Sequence, residues 1–213
     1  HFMDNTMFVH SDVNTQLRSH ELTSHLFTRD TLQRVHNSLS FHLTDRSNIR
    51  LSAELEPMGA IGDLAWYNVR NILWAFSYER PLSVRATALL DRETGVPVRC
   101  DAWIWFSDDR IASFNCSFNE AKRQHAEYVT CDHVVHHSAF MNDDPGHYTV
   151  DGVTVEAKTN KPRIIRLLER FALDAKQPES DHARQWGEET LLNMTVLDAI
   201  MESVRTGDKV EFA

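Results

Sequence analysis

The sequence lacks several features that would assign it to a broad class. No apolar run approaches the roughly 20 residues that cross a bilayer. No segment concentrates lysine and arginine, and the formal net charge of the 213 residues is −9, which argues against a nucleic-acid partner. The three cysteines, Cys100, Cys116 and Cys131, are an odd and widely spaced set. They indicate reduced thiols in a cytoplasmic protein rather than a disulfide framework.

The usual signatures of nucleotide binding and of nucleophilic hydrolysis are also missing. Gly59-Ala-Ile-Gly62 is too short for a dinucleotide fingerprint and does not lie within a βαβ unit. The sequence contains no phosphate loop and no Gly-x-Ser-x-Gly elbow. From its residues alone, the chain therefore predicts no cofactor site of its own.

A cluster of histidines is the candidate metal site. Cys131, His133, His136 and His137 fall within seven residues, and His133 and His137 would point the same way on a strand. The spacing matches no standard set of zinc ligands. We therefore predict no metal site, and keep a metal-binding domain around His133 and His137 as an alternative.

The pattern of apolar residues predicts several consecutive strands with helices before and after them. Trp103 and Trp105 alternate with the apolar residues of their strand, which indicates that both faces of the sheet are covered, one of them by a second subunit. The fold class is α+β: an open, predominantly antiparallel sheet with helices packed on one face. The predicted strands are residues 1–9, 32–43, 84–90, 98–106, 111–118 and 125–130, with a weaker one near Val134.

Four helices are predicted, at residues 15–26, at 59–76, from Lys161 to the break at 177–181, and from there to about Thr206. A loop with strong breaker residues, Asn142-Asp-Asp-Pro-Gly146, separates the sheet from the last two. Gly207 is the expected C-cap. The residues expected to pack are Ile164, Leu168, Phe171 and Ala175 in the third helix, and Trp186, Met194, Leu197, Met201 and Val204 in the fourth.

The chain is organised around the helix at residues 59–76, which has two different faces at about 100° per residue. The apolar face carries Ile61, Ala65, Val69, Ile72 and Phe76. The opposite face carries Asp63, Tyr67, Arg70, Asn71 and Trp74.

Asp63 and Tyr67 are four residues apart, so a carboxylate and a phenol are neighbours on that second face. A tyrosine exchanges a proton with a substrate hydroxyl or carbonyl when a nearby cation lowers its pKa, and Arg70 lies one turn further on. We predict a site with Asp63 and Tyr67 as catalytic groups and with Arg70 and Asn71 as substrate contacts. The alternative is that this second face of the helix is simply exposed to solvent and forms no site.

The segment Gly59-Ala-Ile-Gly-Asp-Leu-Ala-Trp-Tyr67 resembles the Gly-Gly-x-Leu-x-Asp-x-Gly-x-His/Tyr segment of the Gfo/Idh/MocA family of NAD(P)-dependent oxidoreductases. Its tyrosine is similar to that of the branch with glucose-fructose oxidoreductase and dimeric dihydrodiol dehydrogenase. Phe2-Met-Asp-Asn-Thr-Met-Phe8 resembles the last strand of the family's nucleotide-binding domain. Ala112-Ser-Phe-Asn-Cys-Ser-Phe118 resembles a phenylalanine-rich strand of its sheet.

The resemblance implies a domain division and a function. Residues 1–28 would be the terminal strand and helix of a truncated nucleotide-binding domain, and 29–213 the C-terminal α+β domain for substrate binding and dimerisation. The open sheet face would join a homo-oligomer. Hydride would pass between a nicotinamide, NAD or NADP, and a small-molecule substrate: a sugar, a polyol or a dihydrodiol.

The resemblance also assigns residues. Tyr67 would take the family's acid/base position, and Asp63 would assist at the substrate. Met7, Phe8 and His10 would line the site, because residues just after the last nucleotide-domain strand do so in this family.

Two family motifs are missing: the Gly-x-Gly-x-x-Gly/Ala turn and the lysine of the Glu-Lys-Pro segment. Tyr128-Val-Thr-Cys-Asp132 stands where a Gly-Thr-x-Gly turn is usual. We therefore expect a fragment of a longer enzyme, whose cofactor is bound mainly by the missing N-terminal domain and which is inactive alone. The alternative is a non-catalytic binding or dimerisation module of the same fold.

Overall fold

The computed structural model describes residues 3–19, 23–141, 146–157 and 161–212. Within them are four α-helices: α1 (Asp12–Ser19), α2 (Trp66–Ala75), α3 (Arg163–Lys176) and α4 (Asp181–Thr206). The strands are β1 (Leu32–His42), β2 (Ser83–Leu90), β3 (Pro97–Trp105), β4 (Ile111–Ser117), β5 (Asn119–Thr130), β6 (Val134–His137), β7 (His147–Val150), β8 (Val153–Glu156) and β9 (Val210–Glu211). Short 3₁₀ turns occupy Met7–His10, Ser24–Phe27 and Ile49–Leu51, and a π-helical turn occupies Ile61–Ala65.

The nine strands form one open sheet in the order β8-β7-β6-β5-β1-β4-β3-β2-β9. β1 and β4 run parallel, with Val35 opposite Ala112, and the other neighbours are antiparallel. The prediction of an α+β fold with an open, predominantly antiparallel sheet is confirmed. β7, β8 and β9 were not predicted, because they are only two to four residues long and show no clear alternation.

The helices cover one face of the sheet. On β3 the residues that point towards them, Val98, Cys100, Ala102 and Ile104, are at most 4% exposed. Trp103, on the opposite face, is 43% exposed. The alternation of apolar and polar residues in the sequence therefore predicted correctly which face forms the core.

A buried polar network joins α2 to the middle of the sheet. The Asn37 amide of β1 donates to the Asn68 carbonyl at 2.9 Å, and the Asn71 amide donates to Asn37 Oδ1 at 3.1 Å. The Tyr128 hydroxyl of β5 donates to Asn71 Oδ1 at 3.0 Å. Since buried polar groups are costly without partners, this network fixes the position of α2 on the sheet.

The strand predicted at residues 1–9 is wrong for the described residues 3–9. Residues 3–6 have no regular structure, and Met7–His10 form a 3₁₀ turn. The Asp4 carboxylate accepts from the Thr6 backbone at 2.9 Å, and the Phe8 carbonyl accepts from the Asn14 side chain at 2.7 Å. These local bonds use groups that a strand would offer to a neighbour. Phe2 lies outside the described residues.

The helix predicted at residues 15–26 is displaced. α1 covers Asp12–Ser19, and a separate 3₁₀ turn covers Ser24–Phe27. Residues 20–22 lie outside the described ranges. Val13 and Leu17, four residues apart, form the buried side of α1. The helix therefore begins three residues earlier in the chain than predicted.

The packing stripe predicted for α3 is also wrong. Ile164, Leu168 and Phe171 are 38%, 53% and 39% exposed. Leu167 and Asp174 point inward instead, and Asp174 forms ion pairs with Arg170 and His182. Periodicity locates the helix but does not identify the side that packs when apolar residues lie on both.

In α4, Trp186 and Leu197 are buried as predicted and Met201 and Val204 are partly buried, but Met194 is 37% exposed. The helix begins at its predicted break, where the Ser180 side chain accepts from the Ala183 backbone. Gly207 is the C-cap with φ = 78°, as predicted. Of the predicted loop at 142–146, residues 142–145 lie outside the described ranges. None of the helices in the described portion of the chain is long and apolar enough to cross a membrane.

Candidate active site

The helix that carries the predicted site begins where two backbones approach closely. Gly59 has φ = +49°, and a Cβ at this position would overlap the Pro97 carbonyl and the Val96 side chain of the β2–β3 hairpin. Only glycine combines this positive φ with such a contact. The absence of a side chain at Gly59 therefore admits the backbone of β3, which holds the start of the helix.

The first turn of this helix, Ile61–Ala65, is a π-helical turn, and α2 follows it directly. Such turns insert one residue into a helix and are frequent at functional sites. The apolar face predicted from the sequence is confirmed, since Ile61, Ala65, Val69, Ile72 and Phe76 are at most 4% exposed. Asp63 lies within the π-helical turn, and Tyr67 lies in the first turn of α2.

Asp63 and Tyr67 meet in a cleft of about 430 Å³ between the helix entry, β1 and β5. The cleft combines an apolar floor with several charged or polar groups, which is the usual composition of a small-molecule site. Its lining is Leu39, Ser40, Phe41, Arg50, Asp63, Leu64, Tyr67, Lys122, Gln124 and Met141.

Arg50 holds the Asp63 carboxylate in place. Arg50 Nε donates to Asp63 Oδ2 at 2.8 Å, and the two side chains are 38% and 22% exposed. This bond raises the pKa of Arg50. Asp63 thus keeps its second oxygen for a hydroxyl of a bound molecule.

The Tyr67 hydroxyl keeps its proton at neutral pH in this environment. Burial raises the pKa of Tyr67, the Asp63 carboxylate raises it further, and Arg50 opposes both. Among the described residues, none forms a hydrogen bond with the Tyr67 hydroxyl. The cleft therefore presents a protonated phenol beside a fixed carboxylate.

Arg70 is placed elsewhere. Its side chain is fully buried, with Nη2 3.1 Å from Glu189 Oε2 and 3.8 Å from Asp4 Oδ2. The guanidinium lies between the rings of Tyr78 and Trp186, 5.2 and 4.8 Å from their centroids. This arrangement ties α2 to α4 and to the N-terminal segment, and it leaves Arg70 out of the cleft lining.

Asn71 and Trp74 are also interior. Asn71 belongs to the buried network with Asn37 and Tyr128, and Trp74 is 7% exposed. The predicted second face is therefore divided: Asp63 and Tyr67 reach the cleft, while the residues that follow on the next turn are covered by α4 and β5. Helical periodicity gives the direction of a side chain but not the elements that cover it.

The three N-terminal residues assigned to the site do not line the Tyr67 cleft. Phe8 is 1% exposed and packs edge-on against Phe140 at 5.6 Å, and Met7 is partly buried. His10 stacks on Trp186 at 4.9 Å and lines a separate hollow of about 180 Å³. Burial, and then His182, lower the pKa of His10 to about 4.

Sequence reasoning found only Asp63 and Tyr67 among the residues of the cleft, and it missed the charged and amide side chains of Arg50, Lys122 and Gln124. Arg50 lies between the strand predicted at 32–43 and the helix predicted at 59–76, and the other two lie on β5, which begins earlier than predicted. No local pattern joins residues 50 and 63 in the sequence. The sequence offered one indication of this pair: an arginine lies shortly before the helix that carries Asp63.

A larger groove of about 500 Å³ runs along α4 and is lined by Tyr78, Asp181, Arg184, Gln185, Glu188, Glu189 and Leu192. It consists mainly of exposed side chains of one helix. Tyr78 points towards the buried Arg70, and burial raises its pKa. The Glu189 carboxylate in this groove is already paired with the buried Arg70, whereas the Asp63–Tyr67 cleft is smaller and contains both predicted catalytic residues.

The histidines of the alternative metal site are not brought together. His133 pairs with Asp151 at 2.6 Å, whereas His137 is fully buried in β6 on the core side. His133 lies just before the strand, so the assumed alternation does not include it.

The fold is similar to that of several solved oxidoreductases. An aldose-aldose oxidoreductase from Caulobacter crescentus, complexed with glycerol, matches with a TM-score of 0.85 at 16% identity, over 99% of this chain and 63% of that one. KijD10, a 3-ketoreductase from Actinomadura kijaniata in complex with NADP and TDP-benzene, matches with a TM-score of 0.81 at 18% identity, over 95% and 62% of the two chains.

A levoglucosan dehydrogenase in complex with NADH and levoglucosan matches with a TM-score of 0.75 at 11% identity, over 97% of this chain and 65% of that one. At these identities the similarity shows a shared fold. The chain thus spans less than two thirds of the length of each of these structures.

Residues 30–138, a little over half of the chain, match the model of the GFO/IDH/MocA C-terminal domain. The matched segment contains β1, the helix with Asp63 and Tyr67, and the sheet as far as β6. Together with the shared fold, this match shows that the chain belongs to the GFO/IDH/MocA C-terminal domain family.

Proposed function

We propose that the protein containing this chain is an NAD(P)-dependent oxidoreductase of the tyrosine-type branch, and that this chain binds its substrate, a sugar, polyol or dihydrodiol. The observation that supports the proposal most is the pairing of Tyr67 with Asp63 in one cleft, with the phenol free of described partners. The solved structures with a similar fold include enzymes crystallised with glycerol and with levoglucosan.

In this proposal Tyr67 transfers the proton. Because burial raises the pKa of Tyr67, the phenol is protonated at neutral pH and donates to the oxygen of a carbonyl that is being reduced. In the oxidation direction the phenolate must accept a proton, which requires a nearby cation. Lys122 lines the same cleft, and a lysine from the rest of the protein would add to it.

Asp63 positions the substrate. One carboxylate oxygen is held by Arg50 at 2.8 Å, and the other accepts from a neighbouring substrate hydroxyl. A fixed acceptor beside the proton donor orients the reacting carbon, and orientation of this kind supplies a large share of a catalytic effect. Arg50 acts through Asp63 and is a positioning residue.

The residues of this chain do not fit the nucleotide portion of a cofactor. The entry of the helix at Gly59 is packed against the backbone of β3 and cannot receive a pyrophosphate. We propose that NAD or NADP is bound mainly by a region of the protein outside these residues, and that the chain alone neither binds the cofactor nor turns over substrate. When bound, the nicotinamide supplies or accepts the hydride.

We keep three further proposals from the sequence. The division into residues 1–28 and 29–213 agrees with a family match that begins at residue 30. A homo-oligomer through the open sheet face is supported by the exposed Trp103. A cytoplasmic location is supported by three unpaired cysteines, two of them buried.

The function is tested with the full-length protein. Reduced NAD and NADP are each offered with a panel of aldoses and ketoses, and oxidised NAD and NADP with a panel of sugars, polyols and dihydrodiols; the change in the redox state of the nicotinamide is followed by absorbance. Saturable turnover with at least one member supports the proposal. Nicotinamide binding without turnover on the whole panel, or no binding at all, would contradict it and favour a non-catalytic module.

A further inference from the structure

We propose that His125, Glu127 and His136 form a binding site for one divalent transition-metal ion on the open face of the sheet. The three side chains offer ligand atoms that all lie within 4.8 Å of one another. All three side chains are only partly buried in the single chain.

The register of the sheet explains why these residues meet. His125 and Glu127 are two apart on β5, so they point to the same face. His136 on β6 lies directly opposite Glu127, and directly paired residues are the closest neighbours across strands. The imidazoles of His125 and His136 are consequently 5.5 Å apart between ring centroids.

The ligand chemistry favours a transition metal over magnesium or calcium. Two imidazoles and one carboxylate suit zinc and its neighbours, whereas the hard cations prefer oxygen ligands throughout. In a tetrahedral zinc site with bonds of about 2.0–2.2 Å the ligand atoms stand about 3.3 Å apart. His136 Nδ1 is already 3.6 Å from Glu127 Oε2, and the half-exposed side chains close the remaining distance by rotation.

The two oxygens of the Glu127 carboxylate have different neighbours. Glu127 Oε1 lies 3.6 Å from Arg34 Nη2, so that Oε2 is the oxygen turned towards His136. On the next strand His36 lies opposite Glu127 and is bonded through Nδ1 to Ser113 at 2.9 Å. Outer partners of this kind orient metal ligands. With three ligands from the chain, water completes the coordination.

The test measures zinc binding to the full-length protein with a competing chromophoric chelator. All variants carry Cys131→Ser, since the exposed Cys131 thiol could otherwise bind zinc. We expect one equivalent of zinc, and an affinity reduced by at least about tenfold in H136A and in the isosteric E127Q. Magnesium at the same concentration should not compete.

H133A is the matched control. His133 is an exposed histidine beside a carboxylate, Asp151, with no place in the cluster, and its replacement should leave the affinity unchanged. E127Q keeps the shape of the side chain, so a folding defect in H136A would not obscure the result. The proposal is overturned if zinc binding is not saturable, or if H133A weakens it as much as E127Q does.

Discussion

The buried guanidinium of Arg70 provides the sharpest test of how the helix with the candidate site is held. In the variant Arg70→Met an apolar side chain of similar length replaces the charge. Two carboxylates, Asp4 and Glu189, whose side chains are only 8% and 11% exposed, then lose their counter-ion. Removing one partner of a buried ion pair typically costs about 3–5 kcal/mol, and loss of the contacts with two aromatic rings adds about 1 kcal/mol.

The pH dependence of this loss has a defined sign. Burial raises the pKa of Glu189, and Arg70 opposes that shift. Without Arg70 the folded-state pKa rises further above the unfolded value, so the folded variant binds a proton that the unfolded chain releases. Stability that depends on this proton is lost as the pH rises. The variant should therefore be least stable, relative to the wild type, at alkaline pH.

Urea denaturation followed by tryptophan fluorescence measures the effect, since Trp186 lies against the guanidinium. Arg50→Met is the control, because Arg50 is 38% exposed and such pairs contribute only about 0–1 kcal/mol. A loss below about 1 kcal/mol for Arg70→Met, or one equal to that of Arg50→Met, would refute the reasoning.

Two further predictions concern the buried His137 and the open sheet face. Burial lowers the pKa of His137 from its ordinary 6.5 to about 3. Between these two pH values the unfolded chain binds a proton that the folded chain does not. The free energy of unfolding therefore falls as the pH drops below 6.5. Between about pH 6.5 and about pH 5 the wild type should lose about 2 kcal/mol more unfolding free energy than His137→Leu does. Urea denaturation measures both losses, and equal losses would contradict the prediction. Trp103→Arg should convert the proposed homo-oligomer into monomers in sedimentation experiments on the full-length protein. The control Leu191→Arg, on α4 where Leu191 is 68% exposed, should leave the oligomer intact. An unchanged oligomer in Trp103→Arg would exclude this face as the interface.

Much of the fold could be predicted because the sheet follows simple alternation. β1 and β3 have the predicted bounds to within one residue. In β3 the residues that face the helices are those expected from a period of two. The N-terminal strand failed for a physical reason. Its apolar residues have the composition of a strand. The Asp4 side chain, however, accepts from the Thr6 backbone, and the Asn14 side chain donates to the Phe8 carbonyl, and composition cannot reveal that competition.

The candidate site was predictable only to a limited extent. Asp63 and Tyr67 were found because they are neighbours on one helix, and the structure keeps them together in a cleft. Arg70 was assigned to the same face, yet α4 covers it through Glu189, 119 residues away in the sequence. Arg50 was missed because its pairing with Asp63 depends on the path of a loop, which helical periodicity does not contain.

The histidines illustrate the same limit. Their density in residues 131–137 suggested His133 and His137 as partners, although strand pairing instead places His136 beside Glu127 and His125. Clustering in the sequence locates a strand, whereas the register between strands decides which side chains meet.

The measurement that tests the central proposal most directly is the rate of hydride transfer in the full-length enzyme carrying Tyr67→Phe. It should be measured in single turnovers with bound cofactor, alongside Tyr148→Phe, which removes a buried hydroxyl outside the cleft. If Tyr67 donates the proton, its replacement lowers the rate by about 10²–10⁴, while cofactor affinity and unfolding midpoint stay unchanged and Tyr148→Phe keeps the wild-type rate. A wild-type rate in Tyr67→Phe would contradict the assignment of the cleft as the site of reaction.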